Sequence, residues 1–98
     1  MKNRNKMFFL SVLMMSVLGL VACGEETKSQ SWWIEHPKEA TDKYIDCKLT
    51  GEESMNCTNI NEISGRLAEK DPRMMKIIEM EADHIKFDKP LDYKQFQK

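Results

Sequence analysis

The sequence predicts an all-α fold: a small disulfide-stapled helical hairpin plus a third amphipathic helix, behind an apolar N-terminal leader. Three observations predict it. Apolar residues recur at helical spacing in three segments between Pro37 and Lys86. No apolar/polar alternation of strand type runs beyond four residues. Cys47 and Cys57 lie ten residues apart, across the break between the first two segments. With 98 residues and 11.5 kDa, the chain has room for one small domain.

The ends of the chain differ in character. Residues 1–22 carry Lys2, Arg4 and Lys6, no acid, and 14 of the 40 apolar residues. Residues 23–98 hold the other 12 cations against 16 acids, with 26 apolar residues in 76. That apolar content is too low for a deep, dry active-site cavity. The acidic balance argues against a nucleic-acid surface, which needs clustered Lys and Arg to displace counterions from phosphate.

The uncharged run Met7–Ala22 has 16 residues, short of the 18–20 or so that a helix needs to span about 30 Å of hydrocarbon. A basic start, a short apolar run and a small residue at its end are signal-peptide traits. Leu20-Val21-Ala22-Cys23 resembles a bacterial lipobox. The resemblance implies glyceride transfer to the Cys23 thiol, cleavage after Ala22 and N-acylation of the new terminus. Several acyl chains hold a protein stably on a bilayer, where one chain exchanges. Residues 1–22 are therefore expected to be a lipoprotein signal peptide and Cys23 the membrane anchor. An uncleaved N-terminal anchor, or a secretory signal with a chance cysteine, is the alternative.

Residues 23–31, from the lipidated cysteine through Gly24-Glu25-Glu26-Thr27-Lys28-Ser29-Gln30-Ser31, contain no large apolar side chain after Cys23 and are expected to be a flexible tether. Ser31 suits a helix N-cap, and Pro37 suits a first helical turn, where its missing N–H costs nothing. Ala40, Tyr44, Ile45 and Cys47 recur at helical spacing from Pro37 to Leu49, and Gly51 is placed to end that helix. A second helix is expected from Met55 or Asn56 to Lys70, with Ile60, Ile63 and Leu67 on one stripe. The hairpin then spans residues 32–70. Asp71-Pro72 is an N-cap followed by proline at the first helical position. Met74, Ile77, Ile78 and Ile85 continue from it as the stripe of a third helix to about Lys86, and a loose polar tail closes the segment 71–98.

Lipid on Cys23 leaves Cys47 and Cys57 as an even pair in an oxidising compartment. A bridge between them constrains the unfolded chain by about 3 kcal/mol in the loop-entropy model. A core this small needs such a staple. The alternative, a redox-active pair, usually takes the form Cys-x-x-Cys beside a βαβ pattern, and neither is present.

The residues needed for catalysis do not come together. His36 precedes a proline and His84 sits 48 residues later in a charged run, so no ligand set of zinc-like spacing forms. There is no Gly-x-Ser-x-Gly elbow and no Gly-rich phosphate loop. The expected class is a binding protein rather than an enzyme, without cofactor, metal, nucleic acid or small-molecule substrate. Trp32 and Trp33, adjacent on a helix, point about 100° apart and do not enter the same small core together. One is expected to pack with Tyr44 and the other to stay near the surface, unless both indoles cover the core. The Met74/Ile78 stripe is open to the same two readings, core or partner contact.

A lipobox and tether, then Trp32-Trp33-Ile34-Glu35-His36-Pro37, then Cys47, then Cys57-Thr58-Asn59, resembles the EexN family of entry-exclusion lipoproteins. That family is similar in its aromatic pair ahead of His-Pro, a cysteine about ten residues on, and a Cys-x-Asn opening the second helix. The resemblance covers the leader and roughly Ser31–Leu67. It makes Cys23 the lipidated residue, Cys47 and Cys57 the cysteine pair, and Trp33, His36, Pro37 and Asn59 signature positions. Asn59 is expected to cap or hydrogen-bond the loop. Thr58-Asn59-Ile60-Asn61, where the family is alanine-rich, and the long extension Asp71–Lys98 depart from the pattern.

The resemblance implies a product of a conjugative plasmid or integrative element. Such a protein blocks redundant DNA transfer into a cell already carrying the element by binding a component of the incoming type IV mating channel. Its expected partners are the membrane, through lipid on Cys23, and a channel protein, met through Trp32, Trp33, His36, Asn59, Met74 and Ile78. A structural lipoprotein subunit of the secretion channel, or a small periplasmic inhibitor protein, is the alternative. The expected location is the bacterial cell envelope, facing the periplasm. Gly24 is not the Asp that resembles an inner-membrane retention signal, which favours the outer membrane.

Overall fold

The computed structural model describes residues 25–97. The expected signal peptide, the anchor Cys23, Gly24 and the terminal Lys98 lie outside the described residues. The described chain is helical, with α1 Gln30–Glu35, α2 Pro37–Thr50, α3 Met55–Glu62, α4 Ser64–Ala68, α5 Pro72–Phe87 and a 3-10 turn Tyr93–Phe96. None of these helices is long and apolar enough to cross a membrane.

Helix ends follow local chemistry. The N-cap of α1 is Ser29, whose Oγ accepts from the Trp32 N–H at 3.1 Å, so the expectation of Ser31 is corrected by two residues. Pro37 opens α2, and Gly51 closes it at φ 74° with its N–H on the Cys47 carbonyl. That left-handed conformation is open to glycine without a Cβ penalty. Ser54 caps α3 through the Cys57 N–H, and Asp71 caps α5 through the Arg73 N–H, with Pro72 at the first position.

The expected second helix is two helices. At Ile63 the backbone N–H turns to the Ile60 carbonyl at 3.2 Å, and φ −105°, ψ 12° leaves the α region. Ser64-Gly65 follows at once, the type of pair that supports a sharp kink. Ile60, Ile63 and Leu67 all remain buried across this bend.

The core joins Trp33 of α1, Ala40, Tyr44 and Ile45 of α2, Ile60 of α3, Ile63, Leu67 and Ala68 at the bend, and Met74 and Ile77 of α5. Helix α2 runs up and α3–α4 runs down, bridged by Cys47–Cys57 at a Cα separation of 5.9 Å. Helix α5 runs up again beside α2. Its start is fixed by Arg73, which donates to the Lys38 carbonyl and pairs with Asp42 at 2.8 Å. Its middle is fixed by Glu81, which accepts from the Tyr44 hydroxyl at 2.6 Å. Ile85, expected on the packed stripe, lies beyond the core and is 83% exposed.

Two segments expected to be loose are held. Tyr93 and Phe96 pack on the core, the Tyr93 hydroxyl donates to Glu81 at 2.8 Å, and Arg73 donates to the Phe96 carbonyl. Residues 25–29, expected to belong to a flexible tether, are strapped along α3 by side chains that the sequence reading had not assigned to them.

Candidate partner-binding surface

The strap depends on Asn56, in the first turn of α3 and 2% exposed. Its Oδ1 accepts from the Lys28 N–H at 2.8 Å and from the Trp33 indole N–H at 3.4 Å. Its Nδ2 donates to Glu25 Oε1 at 3.1 Å and to the Glu26 carbonyl at 2.9 Å. All four hydrogen-bonding positions of one amide are used. One turn on, Asn59 donates to the Lys28 carbonyl at 3.0 Å. Asn59 therefore holds the segment ahead of α1, not the 50–54 loop that was expected. Gln30 completes the attachment through Glu62 at 2.6 Å.

Lys43 reinforces the same end, with Glu25 at 2.8 Å and Glu52 at 3.1 Å. A hydrogen bond from Lys43, and then one from Asn56, holds the Glu25 carboxyl below its ordinary range. Glu52 is lowered by the Ser54 hydroxyl and by Lys43. For Lys43 burial opposes the charge, but the bonds to Glu25 and Glu52 outweigh it and its pKa rises. Burial and the neighbouring Glu81 carboxylate push the Tyr44 and Tyr93 hydroxyls well above their usual range.

The strap delivers Lys28 onto an aromatic stack. Trp32 lies face to face with the His36 imidazole, centroids 3.8 Å apart at 12°, and edge-on to Trp33 at 5.0 Å. Lys28 Nζ sits 4.7 Å above the Trp32 ring, within cation–π range. His36 Nδ1 lies 2.8 Å from the Trp32 carbonyl; a carbonyl only accepts, so Nδ1 carries a proton and donates. The stack is half-buried, with Trp33 as its floor.

The expected contact residues separate accordingly. Trp33 and Met74 are core side chains at 5% and 0% exposure, so their expected role as contact residues is corrected. Ile78 is half-buried against the core and Asn59 is committed to the strap. Trp32 and His36 remain at the surface, joined by Lys28, which the sequence reading had placed in the tether. Asn56 is also absent from the expected contact residues, since in the sequence it stands only as a possible first residue of the second helix. An amide one residue before a paired cysteine, in the first turn of a helix, was its one sequence cue.

An open groove of about 470 Å³ lies over the disulfide between Tyr44, Lys48, Glu52, Glu53 and Glu62. Cys47, Glu52 and Cys57 place their ligand-type atoms within 4.8 Å of one another. Both sulfurs are in the bridge, so neither is a thiolate, and the geometry is that of a staple. Searches with this chain match no protein-family model, no curated protein and no solved structure.

Proposed function

We propose that this chain is an entry-exclusion lipoprotein of the kind the EexN-like layout suggests. It is held on the cell envelope by lipid on Cys23 and binds a protein of an incoming type IV mating channel. Its role is recognition without catalysis, and the recognition surface is Trp32, His36 and Lys28.

One observation carries the reading. The positions of the EexN-like signature, Trp33, His36, Pro37, Cys47, Cys57 and Asn59, are spread over 27 residues of sequence, yet they serve one structural purpose. Pro37 opens α2 directly after His36, the disulfide fixes α3 against α2, Asn59 holds the strap, and Trp33 forms the buried floor. Together they present a rigid, half-exposed indole under a lysine. Tryptophan with a cation beside it, preorganised and partly desolvated, has the character of a protein-contact hot spot.

The test is a mating assay into recipients carrying Trp32→Ala or His36→Ala, with lipoprotein abundance measured in the same cells. Both variants are expected to admit the element about tenfold or more above wild type, the loss of one hot-spot contact. Wild-type exclusion in both variants refutes this surface. Transfer lost on deletion of the gene from the donor, with exclusion unchanged on its deletion from the recipient, refutes the function in favour of a channel subunit.

A further inference from the structure

The strap changes what the lipid anchor does. Glu25 is fixed beside α2 and α3 by Asn56 and Lys43. Only Gly24 stands between it and Cys23 in the sequence, and two residues of chain reach at most about 7 Å. Eight residues of free tether would have allowed the domain to roam by nanometres; this connection does not.

The end of the bundle nearest that point is also its apolar end. Helices α2 and α5 both finish there, and α3 begins there. Of the six large apolar side chains exposed among the described residues, five belong to this end: Leu49, Met55, Ile85, Phe87 and Leu91, with Ile85 the most exposed; Met75 alone lies elsewhere. Lys48, Lys86 and Lys89 share the end with Asp46, Glu52, Glu53 and Asp88. The charge is therefore mixed, and Lys89 lies 5.8 Å over the Phe87 ring. Long cationic stems beside exposed apolar groups suit a water–lipid boundary, where the stem lies in the apolar layer and the ammonium stays wet.

We propose that this end of the domain rests on the bilayer interface, with Met55, Ile85 and Phe87 among the lipid headgroups. The inference rests on lipidation of Cys23. A linker of one residue leaves no room for a folded partner between this end and the membrane, which identifies the lipid surface as the occupant. Because the charges are mixed, apolar contact dominates, and docking changes little with the anionic-lipid fraction. The strap runs along α3 from Asn56 to Asn59 and Glu62, and His36, directly before α2, stands at the other end of that helix from Leu49.

The test uses the full lipidated chain in phosphatidylethanolamine/phosphatidylglycerol vesicles, with the Cys47–Cys57 bridge intact. An environment-sensitive fluorophore is attached at Met55→Cys, Ile85→Cys or, at the far end, Arg66→Cys. Probes at 55 and 85 are expected to be blue-shifted and about threefold less quenched by aqueous iodide than the probe at 66, as for side chains at the headgroup boundary. Chains that float with the vesicles but show equal quenching at all three positions overturn the docked pose and leave the anchor standing. Chains with an unmodified Cys23 that do not float overturn both.

Discussion

Removal of the Asn56 amide is the sharpest test of how this domain is held together. Asn56→Ala deletes four hydrogen bonds at once. The Trp33 indole N–H is the costly one, because its ring is buried and no water replaces the lost acceptor. At 3.4 Å it is a long bond, so orphaning it is assigned about 1 kcal/mol, the low end for a buried donor. The three bonds to the strap exchange for water at about 0.5–1 kcal/mol each, which brings the total to about 3 kcal/mol. In a domain of this size that lowers the melting temperature by about 12–24 °C. Asn59→Ala, which loses one strap bond, is expected to cost about 1 kcal/mol. Thermal and urea unfolding of the two variants supply the numbers, and amide exchange at residues 26–29 reports whether the strap has lifted. Equal losses in the two variants, or unchanged exchange at the strap in Asn56→Ala, would refute this account of the anchor point.

Two further outcomes follow from the same geometry. Glu25 and Glu52 have lowered carboxyl pKa values in the fold, so their contribution is whole above the ordinary value of 4.5 and is lost as pH falls through the folded values. Lys43→Met removes a bond from each carboxylate, and the slope of stability against pH below 4.5 becomes shallower; an identical slope in the two proteins contradicts the pairing. Gly65 lies in α4 with open space where a Cβ would stand. Gly65→Ala is therefore expected to raise stability by about 0.5–1 kcal/mol in urea unfolding, and a loss would mean that the bend at Ile63 needs the glycine.

The sequence alone determined the features that depend on near neighbours. Helical periodicity, Gly51 as a terminator, Asp71-Pro72 as an initiator and the Cys47/Cys57 staple are all written in spacings of a few residues, and the all-α fold follows from them. Adjacent helical positions face different ways, which predicts different environments for Trp32 and Trp33, but only the packing shows that Trp33 is the buried one. Other features were decided by pairs of residues about 30 apart in the chain. A polar, glycine-led stretch has the composition of a free tether, and only the approach of Asn56 and Asn59 turns Glu25–Ser29 into a strap. Met74 and Ile85 belong to one apolar stripe by period, yet the length of the helices opposite buries the first and leaves the second in the open. Periodicity fixes the face of a helix a residue occupies; where a neighbouring helix ends fixes whether that face is covered.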